Sequence, residues 1–183
     1  VPVLVDGTVI AWDTLSIAEY LAEAFPERQL WPAAAADRAL ARSMCAEIHS
    51  GLSALRAACP MNIEAHLPHV GALAVRDNPP LVRDLERLIA MWSAPLNSHG
   101  GTKSFGRFII VDAYCARRVM RLLTYDLPVL AEIKTYIERF ANLKSVTEWV
   151  EQVSQEPDFL GHEKPYRLER ELRMHALPRA HPL

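Results

Sequence analysis

The sequence predicts a mainly α-helical chain that opens with one β-hairpin. Three observations carry this. Strand-like apolar runs are confined to the first dozen residues, where Asp6-Gly7 separates two of them. After Trp12 the apolar spacing lengthens to three or four residues and stays helical to about residue 155. Prolines and glycines cut that stretch into ordinary helix lengths.

Each element has a local reason. Asp-Gly suits a two-residue hairpin turn because both turn positions need positive φ. Pro2 has no N–H and so suits a strand start or a bulge. Asp13 and Thr14 supply cap chemistry for a helix that places Ile17, Tyr20, Leu21 and Ala24 on one face, and Phe25-Pro26 ends it. Leu30-Trp31-Pro32 reads as a linker. The spacing then predicts one long helix over 34–59, stopped by Pro60. Leu40, Met44, Ile48, Leu52 and Leu55 form its apolar stripe. A second stripe is made of small residues, Ala39, Ser43, Ala46, Ser50, Ser53 and Ala57, which let another helix approach closely. Residues 60–80 hold Pro60, Pro68, Pro79 and Pro80 and read as loop. Further helices are predicted over 81–97, from 109 or 110 to 123, over 129–140 just after Pro128, and over 145–155. Residues 157–183 read as an extended or poorly ordered tail, in which Lys164, Arg167, Arg170 and Arg173 are balanced by Glu163, Glu169 and Glu171. About five helices therefore follow the linker, and no internal repeat is present.

Composition bounds the function. The chain has 183 residues, half of them hydrophobic and 23% charged, which is enough for a real core. Lys plus Arg is 20 and Asp plus Glu is 22, for a net charge of −2, so nothing argues for nucleic acid or an anionic membrane as the main partner. No apolar run approaches the ~20 residues of a membrane span, and no signal segment opens the chain. Cys45, Cys59 and Cys115 are odd in number and widely spaced, which fits a reduced, cytoplasmic setting. His66 and His69 lie in a proline-flanked loop without an acidic or cysteine companion, so no metal site is expected. Val1 leads straight into a strand, as if the chain began inside a fold.

An ordered set of motifs resembles the cytosolic glutathione S-transferases. V-P-V-L-x-D-G is followed by a second strand, then W-D-T-L-x-I-x-E-Y-L, F-P, L-W-P and a long helix. The segment 46–63, A-E-I-H-S-G-L-S-A-L-R-A-A-C-P-M-N-I, looks like a bacterial branch of that family. The resemblance covers about residues 1–156. It implies the C-terminal half of a thioredoxin-like α/β domain (hairpin plus helix, residues 1–29), a linker at 30–33, and an all-helical C-terminal domain over 34–156.

The implied activity is attack of glutathione thiolate on a soft hydrophobic electrophile, with glutathione as co-substrate and no metal. The same frame leaves open a glutathione-dependent isomerase or a relative that binds without turnover. Family members are usually homodimers through the first helix of the helical domain. In the family, a residue followed by a cis-proline pairs with the cysteinyl part of glutathione, and Val1 and Pro2 match those positions. An acidic residue followed by Ser or Thr receives the γ-glutamyl end, and Asp13 and Thr14 match. This is sensible chemistry, because a helix start offers free N–H groups to a carboxylate and Asp13 offers a partner to an amino group. The family's thiol-activating Tyr, Ser or Cys would lie upstream of Val1, so no catalytic residue is assigned. Ser16, Tyr20 and Tyr114 do not match that role.

Arg42, His49 and Arg56 are spaced by seven and so share a face of the predicted long helix. His49 and Arg56, with Met61 and Asn62 just past the helix end, are candidates for the second-substrate site or the dimer interface. Two positions depart from the family. Ile109 stands where a cap hydroxyl is usual, three residues before Asp112, at a cost of about 1 kcal/mol. Arg117 and Arg118 stand where apolar residues are usual. Two adjacent arginines are not cheaply buried, so that helix is expected to be exposed there or to border a polar cleft.

Overall fold

The computed structural model describes residues 2–100 and 104–155. Strands β1 (Val3–Asp6) and β2 (Val9–Trp12) pair antiparallel, with Val3 opposite Trp12 and Asp6 opposite Val9. The two-residue turn is thus Gly7-Thr8, not Asp6-Gly7. Gly7 has φ 57°, which glycine adopts freely, and Asp6 stays in the strand. Helix α1 (Thr14–Ala24) follows directly, capped by Asp13, whose Oδ1 accepts from the Leu15 N–H at 2.8 Å. A single 3₁₀ turn, Pro26–Arg28, leads into the linker.

Seven helices then build one bundle: α2 (Ala35–Ser50), α3 (Ser53–Ala58), α4 (Pro68–Asp77), α5 (Pro79–Ser98), α6 (Ile110–Tyr125), α7 (Ala131–Ala141) and α8 (Lys144–Gln155). Helix α6 is central, packing on α2, α4 and α7, while α5 packs on α3, α4 and α7. Val111, Cys115 and Val119 of α6 are fully enclosed, as are Met44, Cys45 and Ile48 of α2.

Two expectations need correction. The long helix over 34–59 breaks. Gly51 leaves helical geometry and Leu52 turns left-handed at φ 55°, a conformation costing a non-glycine residue roughly 1–2 kcal/mol. Burial of the Leu52 side chain offsets that cost, and the break starts α3 in a new direction. Leu40 also leaves the expected apolar stripe. It is exposed, while Ala41 and Cys45 are buried beside Met44 and Ile48. The small-residue stripe, by contrast, is exposed along its whole length.

The second correction is at 60–80, which is not all loop. Pro68 and Pro79 sit at helix starts, where a missing N–H costs nothing, and they open α4 and α5. Helix α4 lies with Gly71 against the end of α6, so that a Cβ on Gly71 would stand 1.8 Å from the Tyr125 carbonyl oxygen. Only glycine permits that approach. The Leu67 N–H donates to the Thr124 carbonyl at 2.6 Å and fixes the same junction.

The start of α6 restores what Ile109 lacks. Asp112 is buried, and its Oδ2 accepts from the Ile109 N–H at 2.9 Å. Its Oδ1 accepts from Ser104 Oγ at 3.0 Å and Tyr136 Oη at 2.9 Å. The hydroxyl absent at the cap position is thus supplied from the preceding loop and from α7. Tyr136 in turn packs edge-on against Trp92 of α5, with ring centroids 5.5 Å apart. The tail over 157–183 lies outside the described residues.

Candidate functional site

The hairpin register fixes the first half of the site. Because Val3 faces Trp12, Pro2 and Asp13 emerge at the same end of the hairpin, where α1 begins. Val1 lies outside the described residues. Asp13 has φ 75° and ψ 135°, a backbone state that costs a non-glycine residue about 1–3 kcal/mol and tends to be kept where a side chain must be aimed. One carboxylate oxygen caps α1 and the other, Oδ2, stands 3.0 Å from His49 Nε2. The second ring nitrogen, Nδ1, faces Thr14 Oγ1 at 3.4 Å. The imidazole therefore donates to Asp13 and turns its other nitrogen to the Thr14 hydroxyl. Asp13 and His49 remain 44% and 39% exposed, so a ligand reaches both. Apart from Leu15, whose N–H goes to Asp13, the N–H groups at the start of α1 have no preceding turn to receive them.

Tyr114 on α6 adds a residue that local pattern did not show. Its phenol lies beside Thr14, and burial raises its pKa. Thr14 opposes that rise, although the hydroxyl completes no hydrogen bond of good geometry among the described residues. Behind this group, Arg42 grips Glu19 of α1 through two bonds of 2.7 Å, and Trp31 Nε1 donates to the same carboxylate at 3.2 Å. The Arg42 hydrogen bonds hold Glu19 below its ordinary pKa. Arg42 also lies over the Trp31 ring, 5.6 Å from its centre. The linker is tied from the other side by Arg107, which donates to Gln29 Oε1 and to the Arg28 carbonyl, each at 2.6 Å.

Other sequence-selected residues lie elsewhere. The break after α2 separates Arg56 from the face that Arg42 and His49 still share. Arg42 belongs to Glu19 and His49 to Asp13, whereas exposed Arg56 sits on α3. Met61 packs against the core. Asn62 is buried: its Oδ1 accepts from the Glu64 N–H at 3.2 Å and its carbonyl accepts from Thr124 Oγ1 at 2.7 Å. Thr124 lies ten residues beyond Tyr114 on α6, about 15 Å along the axis. Met61 and Asn62 are therefore not brought to Asp13 and Thr14. A groove of about 820 Å³ opens at that far end, between α6, α7 and α8, lined by Met120, Leu122, Thr124, Ile137 and Val150 among others. It does not touch the Asp13 group.

Among the described residues no cluster of three His, Cys, Asp or Glu could hold a metal, and no helix is long and apolar enough to cross a membrane. Burial pushes the Cys45 thiol up to about 12 and the Cys59 thiol to about 11, so neither is a nucleophile near neutral pH.

No family model matches the chain, and no curated protein sequence matches it. Among solved structures it is similar to a glutathione transferase homolog from Burkholderia GL BGR1, with bound glutathione. The two share 26% identity over 85% of this chain and 74% of the other, with a TM-score of 0.61. A hairpin and one helix leading through a Trp-Pro linker into a helical bundle is a glutathione S-transferase-like fold. That likeness supports the glutathione S-transferase family for this chain.

Proposed function

We propose that the protein binds glutathione with its γ-glutamyl end at Asp13 and Thr14, and that the glutathione thiolate attacks a soft electrophile. The observation that carries this reading is the aim of Asp13. Its backbone is held at positive φ while its carboxylate both caps α1 and remains open to a cationic group. A γ-glutamyl α-carboxylate suits the first turn of α1 and the Thr14 hydroxyl, and its ammonium suits Asp13. The glutathione bound in the Burkholderia homolog supports the same ligand. No described residue is assigned the activation of the thiol.

The working form we propose is a cytoplasmic homodimer. All three cysteines are free and buried, as a reducing compartment allows, and the exposed small-residue face of α2 and α3 suits close helix contact.

Thr14→Ala and Asp13→Asn, each titrated with glutathione in a calorimeter beside a melting curve, test the site. A hydrogen bond to a charged group contributes about 1.5–3 kcal/mol, so each variant should lose roughly ten- to a hundredfold in affinity. Lower melting temperatures with unchanged affinity in both would reduce Asp13 and Thr14 to a helix cap.

A further inference from the structure

His49, in the last turn of α2, places each ring nitrogen on one of two neighbouring polar atoms. Nε2 is 3.0 Å from Asp13 Oδ2, and Nδ1 is 3.4 Å from Thr14 Oγ1. Asp13 Oδ1 is committed to the Leu15 N–H, so Oδ2 is the oxygen left for a ligand ammonium. Thr14 Oγ1 is the hydroxyl offered to a ligand carboxylate. One imidazole thus spans the same pair of atoms that the head of an α-amino acid would span. Such a head carries its ammonium and its carboxylate on a single carbon, so a ligand seated on both atoms must touch the ring.

The ring cannot withdraw by moving its helix. On one side Arg42, two turns earlier on the same face of α2, holds Glu19 of α1 through two bonds of 2.7 Å. On the other side Arg118, buried on α6, donates through Nη2 to the Ile48 carbonyl, one residue before His49. With the backbone tied to both neighbours, adjustment to a ligand falls to the His49 side chain, which is 39% exposed. An ammonium on Oδ2 deprives the Nε2–H of its acceptor. The ligand brings a replacement, because a carboxylate has about four acceptor sites, more than the Thr14 hydroxyl and the open N–H groups of α1 use up. A bond to an ionised acceptor is also about twice as strong as one to a neutral acceptor.

From this overlap we infer that His49 reads the α-carboxylate of the γ-glutamyl end: it yields Asp13 to the ligand's ammonium and donates to the carboxylate instead. This rests on the glutathione reading above and adds a selectivity to it. The site takes a head with both charges on one carbon and discriminates against an amine alone.

The probes are glutathione and its counterpart without the α-carboxylate, 4-aminobutanoyl-cysteinyl-glycine. Each is titrated calorimetrically into the parent protein, His49→Ala and His49→Gln. The side chain is exposed, so both variants should fold, and a melting curve checks this. His49→Ala should bind glutathione about tenfold more weakly than the parent, as loss of a bond to a charged group requires. It should bind the aminobutanoyl peptide within about twofold of the parent, because the missing bond is to the carboxylate alone. His49→Gln keeps an N–H donor at the end of the side chain and should recover most of the glutathione affinity. An equal loss for both probes in His49→Ala means that the ring only steadies Asp13, and overturns the inference. Unchanged or tighter glutathione binding in His49→Ala makes the ring a mere competitor for Asp13 and overturns it too. Glutathione binding that Asp13→Asn weakens and His49→Ala does not removes this inference alone. Failure of the parent to bind glutathione at all removes the functional reading beneath it as well.

Discussion

Replacing Asp112 with Ala removes the one side chain that ties the start of α6 to both the preceding loop and α7. The carboxylate is 1% exposed and receives three short hydrogen bonds, from the Ile109 N–H at 2.9 Å, Ser104 Oγ at 3.0 Å and Tyr136 Oη at 2.9 Å. Bonds to a charged group contribute about 1.5–3 kcal/mol each, so the gross loss is roughly 5–9 kcal/mol. Against it stands the cost of keeping a carboxylate out of water, which is several kcal/mol. The net destabilisation should be about 3–5 kcal/mol, a large part of the ~5–15 kcal/mol that holds a typical domain folded. With a urea slope near 2 kcal/mol/M, the unfolding midpoint should fall by about 1.5–2.5 M. Urea titration followed by far-ultraviolet circular dichroism reads this directly. Tyr136→Phe removes one donor and leaves the carboxylate its other partners, so its cost should be smaller, about 1–2 kcal/mol. An Asp112→Ala midpoint within about 0.3 M of the parent would refute the reasoning, because it would mean that desolvation cancels every bond the carboxylate makes.

Gly71→Ala should destabilise by about 1–3 kcal/mol or more, because its methyl group would fall on the Tyr125 carbonyl; differential scanning calorimetry checks it. Cys45, Cys59 and Cys115 should resist a thiol-specific reagent at pH 8 and react only on unfolding, since burial raises all three and keeps them protonated. Rapid labelling of the native protein would count against their burial. Ser50→Trp puts an indole on the exposed small-residue face and should shift the proposed dimer toward monomer in sedimentation.

Local chemistry was legible in the sequence wherever a residue acts on its near neighbours. Gly7 marked the hairpin, Asp13-Thr14 marked the start of α1, and the spacing over 81–97 marked nearly all of α5. The misses arose where a glycine or proline has two meanings. Gly51 ended α2 although the apolar spacing continued across it, and Pro68 and Pro79 opened helices where they were read as loop. The rest was set by tertiary contact. Ser104 replaces the hydroxyl missing at Ile109 from eight residues before Asp112, and no cap pattern spans that loop. His49 reaches Asp13 across 36 positions, and Tyr114 reaches Thr14 across a hundred. Arg118 was visible as an anomaly, but only its burial against Ile48 shows which of the two arginines is exposed.

The crossing of α1 and α2 is held by two clasps of unequal permanence. Glu19 with Arg42 is a bidentate pair backed by Trp31, while Asp13 with His49 is a single exposed contact at the other end of the crossing. In the proposed complex a ligand ammonium at Asp13 takes the place now held by an imidazole, so loading the site would be an exchange of partners and not the filling of a void. When the second clasp opens, the first still holds. Glu19 and Arg42 would then keep α1 on the bundle while Asp13 changes partner. The affinity measured for any occupant would include the cost of that exchange.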